Sequence, residues 1–340
     1  MRVVSVVTMQ PVVDSVEVEY VAPGALEVRW SFLDEADAGP VDIAHGPRPD
    51  TVDHAHVHTA DAAARSFTLT GLGEGPHYVS VGVHGSGTAR VGGERLVRLE
   101  GLQNFRDLGG YRVAGGGHTR WGRLFRADSL HKLTPADHAT LDRLGLRVIA
   151  DLRSDKERDT HPNPLELAVQ YEIVGQARAE RMSEATRDLS DVDGEAVLRN
   201  IYVGSLEHSA HLFGALLTSF ASEGGLPAVF HCHAGKDRTG IVAALVLLAV
   251  GVDRDTVLDD YELTRRYRTF ENQQDSYANM LDLGMSPEAA AGVLSTPRWA
   301  MQEAVDAIDG TYGGIEHYLI SRTSLSAGAL DALRAALVEH

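Results

Sequence analysis

Cysteine is almost missing from this chain: 340 residues contain one, Cys232. A single thiol cannot close an internal disulfide, so nothing in the sequence requires an oxidising compartment. Lysine is nearly missing too, with only Lys132, Lys156 and Lys236 present, and positive charge rests on arginine. Acidic residues outnumber basic ones 48 to 31, a formal net charge of −17. A surface with that balance repels nucleic acid and anionic membranes, so neither is an expected partner. Long apolar runs are also lacking. The longest, IVAALVLLAVGV at 241–252, is too short to span a bilayer and predicts a buried helix. The opening MRVVSVVTMQPVVDSVEVEY has neither the apolar core nor the small-residue cleavage site of a signal peptide and predicts a strand. The expected location is cytoplasmic, with non-classical export left open.

What is present divides into two textures. Residues 1–98 consist of short alternating stretches (SVEVEYV, ALEVRWSF, VDIAHG, SFTLTGL, HYVSVGVHG, RLVRLEG) separated by Pro, Gly and Asp. That spacing predicts an all-β sandwich. Trp30 in LEVRW, and Leu72 six residues before Tyr78, resemble the core tryptophan and tyrosine-corner pattern of a fibronectin type III module. DHAHVHT sets His54, His56 and His58 at period two, on one face if the segment is extended. Without a fourth ligand nearby, a solvated face is favoured over a metal site.

From residue 99 the periodicity becomes helical. Thr134 and Pro135 form a helix start, with Gly145 just past its end; Ser286 and Pro287 form another. RVIADLR and LPAVFHC read as buried strands. Strands and helices in alternation predict an α/β domain over 99–340, with a central mostly parallel sheet flanked by helices.

The lone cysteine stands in HCHAGKDRTG, 231–240, between the LPAVFHC strand and the apolar helix. Gly235 permits a tight turn, and the amides of His233, Ala234, Gly235, Lys236, Asp237 and Arg238 lie where a helix N-terminus offers them to an anion. The same environment favours a thiolate at Cys232. A nucleophilic sulfur beneath an anion cradle points to phosphoryl transfer through a phosphocysteine. Arg238 is placed to grip two phosphate oxygens, and Thr239 to donate to the sulfur as it departs. No cofactor or metal is required. A His-Cys-His metal site at 231–233 is disfavoured, because ligands at this spacing cannot complete a tetrahedron. His231 is expected to brace the loop instead.

These residues resemble the signature loop of the cysteine-dependent protein-tyrosine phosphatases, in the bacterial branch that includes tyrosine/phosphoinositide phosphatases. NFRDLGGY (104–111), GRLFRADSLHKLT (122–134), VIADLRS (148–154), GVDRDTVLDDYELT (251–264) and TYGGIEHYL (311–319) resemble further blocks of that branch in the same order. The resemblance implies a phosphatase acting on phosphotyrosine proteins, with phosphoserine/threonine or phosphoinositides as further substrates. It implies a rim position for Lys236, favourable to phosphoinositides. Asp237 has two open roles, as general acid or as an ion-pair partner shaping the loop. The usual acid lies on a separate loop, where Asp188, Asp191 and Asp193 are candidates. Asp107, Asp151 and Arg153 sit in matched blocks, and a buried structural ion pair is their favoured reading. A silent phosphate-binding scaffold is the alternative from another class, with a phosphoinositide-preferring lipid phosphatase as a variant of the first. The front domain shows no chemistry and is a possible protein-partner surface.

Overall fold

The computed structural model describes residues 11–33, 39–165, 168–170 and 194–340. The chain divides into two compact units: Met1–Val97 with Asp142–Leu144, and Arg98–Leu141 with Gly145–His340.

Among the described residues the front unit holds seven strands: β1 (Val13–Ala22), β2 (Ala25–Phe32), β3 (Val41–Gly46), β4 (His58–Ala60), β5 (Ser66–Thr70), β6 (Tyr78–Val83) and β7 (Arg90–Gly93). They form two antiparallel sheets, ordered β1-β2-β5 and β4-β3-β6-β7. Alternate residues of both sheets meet in one core. Val28 and Trp30 come from one side, Ile43, Val79 and Val81 from the other, and Leu72 packs against them.

One expectation fails here. The last strand is β7 at 90–93, whereas RLVRLEG at 95–101 forms no strand. Glycine is a poor strand former, which hid β7 in the sequence. Yet Gly92 is needed, because a Cβ there would come 2.4 Å from the Val16 carbonyl oxygen. Residues 54–56 form an exposed turn, in keeping with the solvated face favoured for DHAHVHT. His56 Nδ1 pairs with Asp53 Oδ2 at 2.7 Å. No group of metal-ligating side chains occurs among the described residues.

The second unit begins with β8 (Arg106–Asp107), β9 (His118–Thr119), β10 (Leu124–Ala127), α1 (Pro135–Leu144), β11 (Val148–Asp151), α2 (Asp155–Thr160) and β12 (Ala168–Gln170). It continues with α3 (Gly194–His208), α4 (Ala210–Ala221), β13 (Ala228–His231), α5 (Asp237–Ala249), α6 (Arg254–Tyr267), α7 (Gln274–Asp282) and α8 (Pro287–Leu294). It closes with α9 (Arg298–Gly310), α10 (Ile315–Arg322), α11 (Ala327–Leu337) and β14 (Val338–Glu339), which pairs with β9. The caps form as the sequence predicts. Thr134 Oγ1 accepts from the Asp137 amide, and the Ser286 side chain accepts from the Ala289 amide.

The central sheet runs β12-β11-β13-β10-β8. The first four strands are parallel, and β8 joins β10 antiparallel. Ala127, His231 and Asp151 stand level at the carboxyl ends of β10, β13 and β11. In parallel α/β sheets that edge is where ligands bind. Behind it α5 is buried around nearly its whole circumference. Each fully buried Leu or Val there contributes roughly 1.5–3 kcal/mol relative to exposure, so the helix that begins at Asp237 is firmly held. Among the described residues, no helix is long and apolar enough to cross a membrane.

Candidate active site

β13 delivers His231 to the sheet edge, and the chain turns through 232–236 before α5 starts at Asp237. Gly235 makes the turn possible. Its φ is +64°, and a Cβ there would lie 2.7 Å from both the Ala127 carbonyl oxygen and the Asp128 nitrogen. The Gly235 carbonyl accepts from Asn104 Nδ2 and from Arg126 Nη2, both at 3.0 Å. The Ser129 amide donates to His233 O at 3.1 Å, and the Leu152 amide to His231 O at 2.8 Å. The loop is thus held from β10, from β11 and from the segment leading into β8.

The braces are themselves braced. Asp260 on α6 takes Arg126 Nη1 at 2.6 Å, Arg106 Nε at 3.3 Å and the Tyr111 hydroxyl at 2.8 Å. Arg106 also donates to Asn104 Oδ1. Burial and the neighbouring Arg126 charge lower Arg106 to about 10, with Asp260 opposing both. These residues come from NFRD, FRAD and DDYELT, so three separated blocks of the sequence meet behind one loop.

Cys232 is 2% exposed. Arg238, on the first turn of α5, is also buried, and its guanidinium meets Glu157 of α2 fork to fork: Nη1–Oε2 and Nη2–Oε1 are both 2.7 Å. Burial opposes the Arg238 charge, but the Glu157 bonds and the adjacent Cys232 sulfur outweigh it and raise its pKa. Glu157 is lowered to about 2: burial resists its ionisation, and Arg238 and the Ser154 amide overcome that. Ser154 and Glu157 form a capping box on α2, so the carboxylate is fixed in place by its own helix start. Sequence reasoning missed Glu157; its Ser-x-x-Glu capping pattern was the only signal.

Asp237 accepts from the Tyr202 hydroxyl at 2.8 Å, and Lys236 Nζ lies 3.4 Å from the same oxygen. Tyr202 and Tyr261 join hydroxyls at 2.6 Å. Burial, then Asp237, raise the pKa of Tyr202, so it remains a phenol and donates. Lys236 departs from expectation. It is 4% exposed rather than on the rim, and its ammonium caps the end of α8 through the carbonyls of Val293 (2.5 Å) and Ser295 (2.7 Å). Carbonyls at a helix C-terminus carry negative potential and draw the ammonium inward. Thr239 is fully buried, and its Oγ1 has no hydrogen-bond partner among the described residues, Cys232 included. The expected Thr239–sulfur bond is therefore not formed here, and the hydroxyl is uncommitted.

His231 is fully buried and neutral. Asn163 Nδ2 lies 3.3 Å from its Nε2, and its Nδ1 lies 3.2 Å from Cys232 O. Burial lowers it to about 4 although Asp151 pulls the other way. Asp151 and Arg153 make the anticipated buried pair, with Arg153 Nη2–Asp151 Oδ2 at 2.7 Å and Nη1 reaching Ser129 Oγ at 2.9 Å. Asp107 accepts from the Gly109 and Gly122 amides at 2.8 and 2.7 Å, shaping the turn after β8. Asp128 belongs to the surroundings too. It accepts from the Gln103 and Asn104 amides, and burial raises its pKa despite Arg268. Asp188, Asp191 and Asp193 lie outside the described residues.

A model described as the tyrosine phosphatase family matches residues 97–339. The chain belongs to that family. The triple specificity protein phosphatase PtpB of Mycobacterium tuberculosis is 31% identical over 288 residues, covering 71% of this chain and 98% of that one. A tyrosine-protein phosphatase of Nostoc commune is 31% identical over 206 residues, 58% of this chain and 68% of its own. Among solved structures, TpbA of P. aeruginosa aligns over 56% of this chain and 96% of its own, at 17% identity and a TM-score of 0.25.

Proposed function

We propose that this phosphatase hydrolyses phosphotyrosine by double displacement at Cys232. The Sγ thiolate attacks phosphorus in line, and the ester P–O bond breaks with its electron pair on the phenolic oxygen. That oxygen takes a proton from Asp237, leaving a phosphocysteine. Water then attacks phosphorus and gives a proton back to Asp237. The S–P pair returns to sulfur, with the Thr239 hydroxyl as its hydrogen-bond donor, and inorganic phosphate leaves. Arg238 grips two equatorial oxygens through both displacements, and the loop amides supply the rest of the electrophilic assistance, so no metal enters a step.

One observation carries this reading: Arg238 is aimed and clamped by Glu157 beside a buried cysteine at a helix start. A scaffold that only captured phosphate would not need a nucleophile there. The phosphoinositide-preferring variant loses its residue support, because the Lys236 ammonium is turned onto α8. Phosphotyrosine is therefore the first substrate class, with phosphoserine/threonine second. The front unit is read as fibronectin type III-like on the strength of its two sheets closing over Trp30. The test is hydrolysis of p-nitrophenyl phosphate in a chelator. Turnover inhibited by vanadate and abolished in Cys232→Ser supports the reading; turnover surviving in Cys232→Ser overturns it.

A further inference from the structure

Three imidazoles from three segments gather beside the nucleophile. His233 directly follows Cys232 and is exposed. His131 stands on the short turn Leu130–Lys132 after β10, and His161 caps the end of α2; both are half-buried. Ring centroids are 4.4 Å apart for His131–His161, 5.8 Å for His161–His233 and 6.2 Å for His131–His233, whose planes are within 15° of parallel. His131 is oriented by Ser129, with Nδ1–Oγ at 2.9 Å. Ser129 also receives Arg153 Nη1 and, through its amide, holds His233 O, so the cluster is tied to the catalytic loop.

We propose that His131, His161 and His233 form an oxyanion subsite for a second phosphate carried by the same substrate, making doubly phosphorylated peptides preferred over singly phosphorylated ones. The proposal deepens the phosphatase reading and rests on it.

The charges around the cluster argue for an anion. Burial first, then His161, His233, Lys132 and Arg153, all press the proton off His131 and lower it to about 4. Crowding by the surrounding atoms desolvates His233 in part, its exposed surface notwithstanding, and lowers it, with Arg238, His161 and Arg268 acting the same way. Among the described residues, the carboxylate pulling on His233 is Glu157, and both its oxygens are engaged by Arg238. Among the described residues, His131 and His233 thus sit amid Lys132, Arg153, Arg238 and Arg268 without a free counter-ion. A phosphate docked on them would supply it and let the rings take up protons and donate. Binding of the second phosphate is therefore linked to proton uptake and strengthens as pH falls toward the ordinary histidine range. Three hydrogen-bonding rings beside the loop also add selectivity that Cys232 and Arg238 cannot, since those two see only the scissile group.

The test compares kcat/KM for a tandem phosphotyrosine peptide and its singly phosphorylated counterpart. Wild type and the His131→Gln/His161→Gln double variant are measured near neutrality and about 1.5 pH units below. The proposal expects a preference of roughly tenfold for the tandem peptide in wild type, growing at the lower pH. It expects that preference to vanish in the double variant while turnover of the single phosphopeptide stays within about twofold. Wild-type values that do not differ between the peptides, or a preference indifferent to the double substitution, would overturn it. A preference for soluble inositol bisphosphate over monophosphate with none among peptides would overturn the peptide assignment. Should wild type turn over neither peptide, the phosphatase reading fails separately, and the subsite is judged by the same affinity ratio measured calorimetrically on Cys232→Ser.

Discussion

Arg238 and Glu157 are joined by two parallel 2.7 Å hydrogen bonds across 81 residues of sequence. The pair fixes both the charge and the direction of the guanidinium before any substrate arrives, so the arginine need not reorganise when phosphate enters. Glu157→Gln keeps the shape but removes the charge and one acceptor. The expected result is a kcat lower by about 10²-fold with KM changed far less, as for a misplaced transition-state contact. Steady-state kinetics on p-nitrophenyl phosphate check it; a KM effect with kcat intact would mean Glu157 serves binding alone.

Asp237, held by the Tyr202 hydroxyl, is the general acid in the proposed mechanism. A lost general acid harms poor leaving groups most. Asp237→Asn should lower kcat on phosphotyrosine by about 10²-fold or more and on an activated aryl phosphate much less. Equal losses on both substrates would assign Asp237 to loop shape, and Asp128→Asn would then be the variant to compare.

Thr239 has a fully buried hydroxyl with no partner among the described residues. An unpaired buried donor is costly, and the proposed cycle gives it a partner in the departing sulfur. In Thr239→Val the second displacement should slow, turning steady turnover into a burst whose amplitude approaches one per enzyme. Rapid-quench kinetics show it; unaltered hydrolysis of the intermediate would remove Thr239 from the mechanism.

His231 is held near 4, well below the ordinary 6.5. Between those values the unfolded chain binds the extra proton, so stability falls as pH drops from about 6.5 toward 4. At pH 5 this one group costs about 2 kcal/mol. His131, also lowered to about 4, acts in the same direction. Urea midpoints should therefore decline from pH 7.5 to pH 5, less steeply in His231→Gln. An equal slope in that variant would contradict the assignment.

The contiguous parts of the site were legible in sequence, and the assembled parts were not. Cys232, Gly235 and Arg238 lie on one loop, so their chemistry could be read from spacing. Glu157 arrives from a short polar helix, and the His131–His161–His233 cluster from three segments that pattern alone does not bring together. Lys236 was misplaced for a different reason. Sequence puts it at the start of α5 but does not say which way its side chain points, and the end of α8 captures it. In the front unit, alternation located most strands, while β7 was concealed by two glycines. The helix starts at Thr134 and Ser286 were readable because capping is local chemistry.

The central claim is a phosphorus–sulfur bond at residue 232. Acid-quenching Thr239→Val during phosphotyrosine-peptide turnover, followed by mass spectrometry of the peptide containing Cys232, tests it most directly. The account predicts a phosphate adduct on Cys232 that disappears on Cys232→Ser. Continued turnover with that cysteine unmodified, or phosphate found on another side chain, would contradict it.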